Sequence, residues 1–352
     1  MKRASNWMIY GANGYTGELI ARKAVSLGLK PILAGRNAEK ITRLAHELTL
    51  ENRIFSLVGE HTIMERIEDC SLVLHCAGPF AETAEPMVKA CLATSTHYLD
   101  ITGEIPVYQL LHLKHQEAVK AGIMLLPGVG FDIVPTDCLA LMLKERMPDA
   151  LYLALSFLGL GGVSAGTLKS ALGQLPYGSK IRRNGELVSV PHLSLSRTVH
   201  YKGRDFRMYS IPWGDVYTAY LTTGIPNIEV YTYFSESQAN MMSLITPLSM
   251  LLRIEPVLKA AQWLAGMTQS GPSEETRQKE RAIIWGEVQN SSGKKILARL
   301  ETPEAYQLTV ETALGAVQKV LRGSYQAGFQ TPAKVFGSQF IMEIPGVSLF
   351  WE

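Results

Sequence analysis

Three glycines recur at a spacing of three residues directly after an apolar run at positions 7–10. In a turn from a strand into a helix, the first such glycine permits a tight bend, the second lets the backbone approach a pyrophosphate, and the third lets helix and strand pack closely. The amides and the dipole of the helix then face the phosphates. The pattern therefore predicts dinucleotide binding, and the residues expected to contact the dinucleotide are Gly11, Ala12, Asn13, Gly14, Tyr15, Thr16 and Gly17.

A second group of candidate residues, Gly35, Arg36 and Asn37, follows the next apolar run. A site specific for NAD would place an acidic residue near here, about 20 residues past the glycines, to bind the ribose hydroxyl. The guanidinium of Arg36 instead suits a 2′-phosphate, which it can bind through charge-assisted hydrogen bonds. We therefore expect NADP(H) as the preferred cofactor, with NAD(H) as the alternative. The competing interpretation is that Arg36 only caps the following helix or forms an ion pair with it.

Two later loops complete the predicted cofactor site. In a sheet with the strand order 3-2-1-4-5-6, they lie beside the phosphates, the nicotinamide ribose and the nicotinamide. Cys76 could act as a nucleophile, but the sequence offers no evident base for it, so a small buried strand residue is the preferred interpretation. The residues expected to contact the cofactor from these loops are Cys76, Ala77, Gly78, Pro79, Phe80, Thr102 and Gly103.

Hydride transfer to or from a nicotinamide is accompanied by transfer of a proton, so a residue that donates or accepts a proton is also expected. The candidates are Asp132, in a glycine-rich turn after the sixth apolar run, Lys169, just after a second glycine-rich loop, and Tyr177. Asp132 could instead hydrogen-bond only to local backbone, and the carboxylates of Asp100, Glu104 and Asp137 could serve in turns and helix caps. The sequence has no HExxH motif and no convincing carboxylate cluster, so it predicts no catalytic metal.

Short apolar runs alternate with amphipathic stretches in the first 147 residues. This alternation predicts βαβ units, a parallel sheet and helices on both of its faces. Strands that are apolar throughout are expected where both faces of a sheet are covered. The predicted strands are 7–10, 31–34, 54–58, 71–76, 97–101 and 123–126, and the predicted helices are 17–28, 38–50, 83–94 and 104–121.

The pattern changes after about residue 150. Alternating strands separated by the turns RNGE (183–186), YKGR (201–204) and NSSGKK (290–295) predict antiparallel hairpins. A helix is predicted at 136–147 and another at 304–322, which stops before Gly323. The fold class is therefore α/β, with a Rossmann domain at 1–147, an α+β domain on a mostly antiparallel sheet at 148–325, and a segment at 326–352 that returns to the Rossmann domain. The predicted strands of the second domain are 187–190, 198–201, 206–211, 226–234, 281–289 and 295–301.

Composition limits the class of protein. Of the 352 residues, 47% are hydrophobic and 19% are charged, which indicates a core-forming globular chain. A net charge of +2 without a basic cluster argues against nucleic-acid binding. Four cysteines without metal-ligand spacing, and the lack of a signal peptide or a long apolar run, favour a cytoplasmic protein without a transmembrane segment.

One stretch of the second half, 240–267, is unusually apolar and is interrupted by Pro247 and Pro256. The simpler interpretation is a pair of helices packed in the core or at a subunit interface. The alternative is a wall for an acyl or lipid-like substrate, or peripheral contact with a membrane. A homodimer is expected because second domains of this kind often pair through an exposed sheet face.

Several segments together resemble the saccharopine dehydrogenase-like oxidoreductases. They are GANGYTGELIA, AGRN, CAGPF, HYLDITGE (97–104) and PGVGFDIVPTD (127–137), with weaker support from GGVSAGTLKSAL (161–172), TPEAYQLT (302–309) and GFQTPAKVFG (328–337). The similarity is greatest to the branch that contains trans-acting enoyl reductases. Ala165 departs from the pattern, because a glycine is expected there. The resemblance implies an NAD(P)-binding Rossmann domain and a second domain that closes over the nicotinamide.

Three functions are compatible with these observations. The first is an NADP(H)-dependent oxidoreductase that reduces an enoyl or imine group of a small molecule. The second is an amino-acid dehydrogenase of the saccharopine type, which would need clustered arginines to bind several carboxylates. The third is a non-catalytic NADPH-binding protein at lipid surfaces, for which the apolar stretch 240–267 is the motive.

Overall fold

A computed structural model describes residues 6–159, 162–268 and 271–352 of the protein. Within these ranges the strands are β1 Trp7–Tyr10, β2 Ile32–Gly35, β3 Asn52–Ile54, β4 Leu72–His75, β5 His97–Asp100, β6 Met124–Leu126, β7 Tyr152–Leu158, β8 Ser179–Arg183, β9 Glu186–Val190, β10 Ser196–Tyr201, β11 Arg204–Ser210, β12 Asn227–Tyr233, β13 Arg281–Gln289, β14 Lys295–Pro303, β15 Gly328–Phe329 and β16 Ser348–Trp351.

The helices alternate with these strands in the first part of the chain and cluster in its second part. The α-helices are α1 Tyr15–Ser26, α2 Ala38–Leu48, α3 Glu60–Ile67, α4 Phe80–Thr94, α5 Ile105–Leu113, α6 His115–Ala121, α7 Val134–Arg146, α8 Ala165–Gln174, α9 Asp215–Thr223, α10 Glu236–Ile245, α11 Glu255–Thr268, α12 Glu274–Lys279, α13 Ala305–Leu321 and α14 Pro332–Phe336. Short 3₁₀ helices span Leu175–Tyr177, Thr246–Arg253 and Ser338–Glu343.

The chain forms two compact units, and each is discontinuous in sequence. The first consists of Met1–Val134 and Tyr306–Gly337, and the second of Pro135–Ala305 and Ser338–Glu352. The division differs from the ranges predicted from sequence, 1–147, 148–325 and 326–352. Helix α7 joins the second unit, where the missing side chain of Gly286 in β13 makes room for Leu139 and Leu143.

The C-terminal segment is shared between the units. Its first part, through Gly337, belongs to the first unit, where Gly328 and Phe329 of β15 pair with β6. Its last part belongs to the second unit. Residues from Ser338 complete the second unit, because β16 pairs with β14 and the guanidinium of Arg146 lies 3.7 Å from the ring centroid of Trp351.

The sheet of the first unit contains seven described strands in the order β15-β6-β5-β4-β1-β2-β3, and every neighbouring pair is parallel. The order 3-2-1-4-5-6 and the α/β class are therefore confirmed, with β15 as an additional edge strand. Strands β1, β2 and β4 are buried along their whole length, as their apolar sequences require when helices cover both faces.

Two predicted elements of the first unit differ from the observed ones. The third strand covers Asn52–Ile54 instead of 54–58, because its partner β2 ends at Gly35, which pairs with Ile54. The helix predicted at 104–121 is divided into α5 and α6. The helix is interrupted at Lys114, whose N–H donates at 3.1 Å to the carbonyl of Leu111, three residues earlier and not four.

The second unit is built on a sheet that has nine strands in the described ranges. Seven of them follow the order β10-β11-β12-β7-β13-β14-β16, while β8 pairs with β12 and β9 pairs with β8. The β12–β7 pair is parallel, and the other described pairs are antiparallel. The mostly antiparallel sheet is therefore confirmed. The three predicted hairpin turns join β8 to β9, β10 to β11 and β13 to β14.

The apolar stretch 240–267 forms most of α10, the following 3₁₀ helix and α11. The expectation that these helices pack in the core of the chain is wrong, because many of their large apolar side chains are exposed. Glutamine and alanine side chains form the buried side of α11 instead, at Gln262 and Ala265. Within the described ranges, no helix has both the length and the hydropathy needed to cross a bilayer.

Candidate functional site

The glycine turn lies between β1 and α1 and is held closely against two neighbouring loops. The amide of Gly11 donates to the carbonyl of Ala34 at 2.7 Å. Gly11 has a φ of +84°, and a Cβ atom on it would lie 2.8 Å from the Cβ of Ala77. A side chain is excluded there by both conformation and space, so the turn brings the loops after β1, β2 and β4 together.

The other two glycines of the turn differ from each other in their surroundings. A Cβ atom on Gly17 would lie 2.4 Å from the carbonyl oxygen of Gly11, so only glycine allows α1 to pack on the turn. A Cβ atom on Gly14 would meet only the same oxygen, at 3.3 Å. Gly14 is also the N-cap of α1 and contributes no capping side chain. The start of α1 thus has a cradle that a side chain at Gly14 would fill, which fits the pyrophosphate of a dinucleotide.

Arg36 follows β2 and is exposed, and no described carboxylate forms an ion pair with it. Burial raises the pKa of Tyr10 to about 12, and the positive charge of Arg36 opposes this rise, which places Arg36 near the end of β1. The cap of the following helix is supplied by Asn37, whose side chain accepts from the amide of Lys40 at 2.9 Å. The guanidinium of Arg36 therefore remains available to an anion.

The loop after β4 leads directly into α4, and a carboxylate fills the start of that helix. The amides of Phe80 and Ala81 donate to the two carboxylate oxygens of Glu104, each at 2.9 Å. Glu104 therefore caps α4 and not the helix that begins beside it. Cys76 lies in the loop, where burial and the charge of Asp100 raise the pKa of its thiol. This thiol is protonated at neutral pH and is a poor nucleophile.

Asp100, at the end of β5, connects two loops of the site. Its carboxylate accepts from the amides of Thr102 at 3.0 Å and Gly128 at 2.9 Å, and from the hydroxyl of Tyr98 at 2.8 Å. Burial raises the pKa of Asp100 to about 7, although these donors oppose the rise. The hydroxyl of Thr102 accepts from the amide of Glu104 at 3.0 Å. Asp100 and Thr102 thus fix the loop that carries Gly103.

Asp132 faces this loop from the turn after β6. A Cβ atom on Gly103 would lie 2.7 Å from a carboxylate oxygen of Asp132. The two loops can therefore come into contact at residue 103 only because glycine has no side chain. Burial raises the pKa of Asp132 to about 7, and the negative charge of Glu104 contributes to the rise. A carboxyl group with this pKa can hold or release a proton near neutral pH.

A distant part of the chain holds the turn of Asp132 in place. The amide of Phe131 donates to the hydroxyl of Thr309 in α13 at 3.0 Å, and the hydroxyl of Thr312 donates to the carbonyl of Val129 at 2.8 Å. A Cβ atom on Gly130 would lie 2.9 Å from Thr309. Neither threonine could be recognised in the sequence as part of the site, since hydroxyls inside an amphipathic helix carry no local signal of a long-range contact.

Helix α13 also contacts the glycine turn. The ring of Tyr306 meets the ring of Tyr15 edge-on, with 5.0 Å between centroids. Five residues further along, the carboxylate of Glu311 forms an ion pair with Lys23 of α1 at 2.8 Å. One helix therefore packs against both the predicted pyrophosphate loop and the turn that carries the predicted proton donor.

The remaining two candidates, Lys169 and Tyr177, belong to the second unit. The Nζ atom of Lys169 would lie 2.9 Å from a Cβ atom on Gly266, beside α11. Tyr177 is 57% exposed, and the guanidinium of Arg253 lies 5.3 Å from its ring centroid. Asp100, Glu104 and Asp132 belong to the first unit. Gly161, in the glycine-rich loop before Lys169, lies outside the described residues.

The described residues include no group of three or more histidine, cysteine, aspartate or glutamate side chains that could hold a metal ion. A nicotinamide dinucleotide, in contrast, fits the residues of the first unit. Amides at the start of α1 suit the pyrophosphate, Arg36 suits a 2′-phosphate, and the loops after β4 and β5 lie at the same sheet edge. Ligands of open parallel sheets bind outside the carboxyl ends of the strands, which is where these loops lie.

Comparisons with known proteins agree with this geometry. Residues 7–126 match the family described as the saccharopine dehydrogenase NADP binding domain. A saccharopine dehydrogenase-like oxidoreductase from Mus musculus is 30% identical over 250 residues, which cover 60% of this chain and 57% of that protein. A trans-acting enoyl reductase from Mycobacterium leprae (strain TN) is 30% identical over 154 residues, 42% of this chain and 37% of that protein. The match thus spans little more than half the length of the Mus musculus protein.

A solved structure has the same fold over nearly the whole chain. It is the apo form of saccharopine dehydrogenase (L-Glu forming) from Saccharomyces cerevisiae, with a TM-score of 0.69, 13% identity and coverage of 99% of both chains. The strand order and the open glycine turn define a dinucleotide-binding domain of the Rossmann type. Within that class, residues 7–126 match the saccharopine dehydrogenase NADP-binding domain family, which confirms the resemblance inferred from the motifs.

Proposed function

We propose that this protein is an NADP(H)-dependent oxidoreductase that transfers hydride to an enoyl or imine group of a small molecule. The observation that carries this proposal is the arrangement at one edge of the first sheet. An open glycine turn, an arginine without a described ion pair and a carboxyl group with a pKa of about 7 occupy the loops after β1, β2 and β6. The names of the matched relatives, an oxidoreductase and an enoyl reductase, support the same class of reaction.

The chain's own residues would bind, orient and protonate. NADPH supplies the hydride when it is bound. The amides at the start of α1 would hold the pyrophosphate, and Arg36 would bind the 2′-phosphate through charge-assisted hydrogen bonds. Cys76–Phe80, Thr102 and Gly103 would line the nicotinamide half of the site. Asp132 would donate a proton to the atom that does not receive the hydride, so that one hydride and one proton saturate the double bond.

The charges around Asp132 bear on the choice of substrate. Asp100, Glu104 and Asp132 place three carboxyl groups within two adjoining loops of the first unit. A substrate with several carboxylates, such as a saccharopine-type amino acid, would need clustered arginines, whereas these loops supply acidic groups. An enoyl thioester or a cyclic imine, which carries no carboxylate at the reacting group, needs no such arginines. We therefore favour these two substrate classes over an acidic amino acid.

The cofactor preference is tested by calorimetric titration with NADPH and NADH at matched salt. Wild type is expected to bind NADPH more tightly. Arg36→Asp should weaken NADPH binding by roughly 10- to 100-fold, since charge-assisted hydrogen bonds contribute about 1.5–3 kcal/mol. NADH, which lacks the 2′-phosphate, should be little affected. Equal losses for both cofactors would show that Arg36 does not bind the 2′-phosphate.

Two further variants complete this experiment. Arg66→Asp changes an exposed arginine at the end of α3, which leads to the amino-terminal ends of the strands, away from the predicted site. This variant should leave the affinities for NADPH and NADH unchanged. Gly14→Val should abolish binding of both cofactors because its side chain fills the cradle at the start of α1. Retained binding by Gly14→Val would contradict the pyrophosphate assignment. NADPH oxidation with enoyl thioesters and cyclic imines then tests the reaction itself.

A further inference from the structure

The second unit exposes a concentrated set of apolar side chains. Of the 21 large hydrophobic residues that are exposed among the described residues, 11 lie between Met241 and Met267. We call these eleven side chains the apolar patch. Leu244 is 77% exposed, and Leu248 and Trp263 are each 64% exposed. Single exposed apolar residues are ordinary, but such a concentration marks an interaction surface.

The apolar patch extends over α10, the following 3₁₀ helix and α11. On α10 and the start of the following 3₁₀ helix, Met241, Leu244 and Leu248 recur at intervals of three and four residues, which places them on one side. The opposite side of α11 faces the unit, where the side chain of Gln262 donates to the carbonyl of Lys169 in α8 at 3.3 Å. The unit is thus already packed on one side of α11, and the apolar patch lies elsewhere on these helices.

The hydroxyl groups within this segment are all satisfied by its own backbone. Ser243 donates to the carbonyl of Ala239 at 3.0 Å, Thr246 to that of Met242 at 2.7 Å, and Ser249 to that of Thr246 at 2.6 Å. Protein interfaces form about one hydrogen bond per 100–200 Å². Hydroxyl donors turned back to helix carbonyls suit contact with hydrocarbon, where no external acceptor exists.

Charge around the apolar patch supports the same occupant. Residues 237–252 contain no ionisable side chain, so a run of 16 residues can leave water without burying a charge. Basic side chains lie beside it at Arg253, Lys259 and Lys169, together with one acidic side chain, Glu255. Anionic lipid headgroups complement such a rim.

We propose that the apolar patch docks this protein on the surface of a lipid bilayer. Helices α10 and α11 have 10 and 14 residues, fewer than the roughly 20 needed to cross hydrocarbon, so they lie in the plane of the interface. Leucine and methionine side chains enter the acyl boundary, and Trp263 lies at headgroup level, which tryptophan prefers. This inference goes beyond the proposed reaction and does not depend on it.

The test is co-sedimentation of the full-length protein with two kinds of vesicles, phosphatidylcholine alone and phosphatidylcholine mixed with phosphatidylglycerol. Wild type should pellet with both, and more strongly with the anionic vesicles. The double variant Leu244→Glu, Leu248→Glu should lose at least tenfold in vesicle affinity. The matched control Val58→Glu, Leu113→Glu changes two isolated exposed residues of the first unit, 77% and 82% exposed, and should bind like wild type.

Circular dichroism and NADPH titration establish that both double variants are folded. Failure of wild type to bind either vesicle, or equal binding by the patch variant, would overturn the proposal. The proposal would also be overturned if the patch variant still bound anionic vesicles and neither protein bound phosphatidylcholine alone. Binding would then be due to charge and not to the apolar patch. Light scattering tests whether a second copy of the chain occupies the apolar patch instead of lipid. If wild type does not bind vesicles and the patch variant has half the wild-type molar mass, the apolar patch is a subunit interface.

Discussion

Glycines, which have no side chain, are as important for this site as the charged residues. Gly11 and Gly17 are required by neighbouring atoms that a Cβ would overlap, whereas Gly14 faces open space at the start of α1. Arg36 is exposed, and the cap of the next helix is supplied by Asn37. The residue types of the glycine turn and of Arg36 could be recognised in the sequence, because their roles depend on spacing along a few residues.

The role of Asp132 depends on its surroundings, and its titration gives a prediction. Its pKa is about 7 in the folded protein and roughly 3.9 in an unfolded chain. Between about pH 4 and pH 7 the folded state binds more protons, so this carboxyl reduces the free energy of unfolding as pH rises through that window. The variant Asp132→Asn lacks this titration. Its stability relative to wild type should increase between pH 5 and pH 8 by on the order of 2 kcal/mol.

Urea unfolding of both proteins at the two pH values measures this difference. Glu39→Gln, which changes an exposed carboxylate of α2 in the same unit, serves as the control and should show no such trend. A constant difference between Asp132→Asn and wild type across the pH range would mean that the carboxyl is ionised in the folded protein throughout.

Among the secondary-structure elements, α13 has the largest consequence for the site. It contacts the glycine turn through Tyr306 and holds the turn of Asp132 through Thr309 and Thr312. The periodicity of its apolar residues predicted the helix, observed at Ala305–Leu321, but not its contacts. Local pattern likewise could not show that the helix at 104–121 is interrupted at Lys114, because hydrogen bonding at that residue decides the interruption.

Removal of one hydroxyl from α13 should affect catalysis more than cofactor binding. Thr309→Val leaves the buried amide of Phe131 without its acceptor, which costs about 1–3 kcal/mol of stability and loosens the turn that carries Asp132. We expect kcat to fall at least tenfold while the Kd for NADPH changes little. Thr309→Ser keeps the hydroxyl and should retain near wild-type kcat. If the valine variant also keeps its kcat, the hydroxyl does not position Asp132.

At the scale of the whole molecule, the chain passes between its two compact units three times. The first unit is therefore incomplete without residues 306–337, which supply α13 and the edge strand β15. The contacts of β15 are specific. Phe329 pairs with Leu125 of β6, and its amide donates to the imidazole of His115 at 3.1 Å.

A fragment experiment follows from this connectivity. Residues 1–134 alone should unfold without a cooperative transition and should not bind NADPH. The same residues joined by a glycine-serine linker to 306–337 should unfold cooperatively and bind NADPH. Calorimetry of both fragments measures the two properties. Equal transitions in the two fragments would show that α13 and β15 are dispensable for the first unit.

The strands of the first sheet, the hairpins of the second and the position of the glycine turn could be predicted from the residues, because each depends on periodicity or on conformational demands within a few residues. Only the tertiary structure shows that Glu104 caps α4, that Thr309 binds Phe131 across 178 positions, and that eleven large apolar side chains between Met241 and Met267 are exposed. These features depend on which distant groups come into contact and on which surfaces remain uncovered. Burial and neighbouring charge, and not residue type, therefore make Asp132 the candidate proton donor.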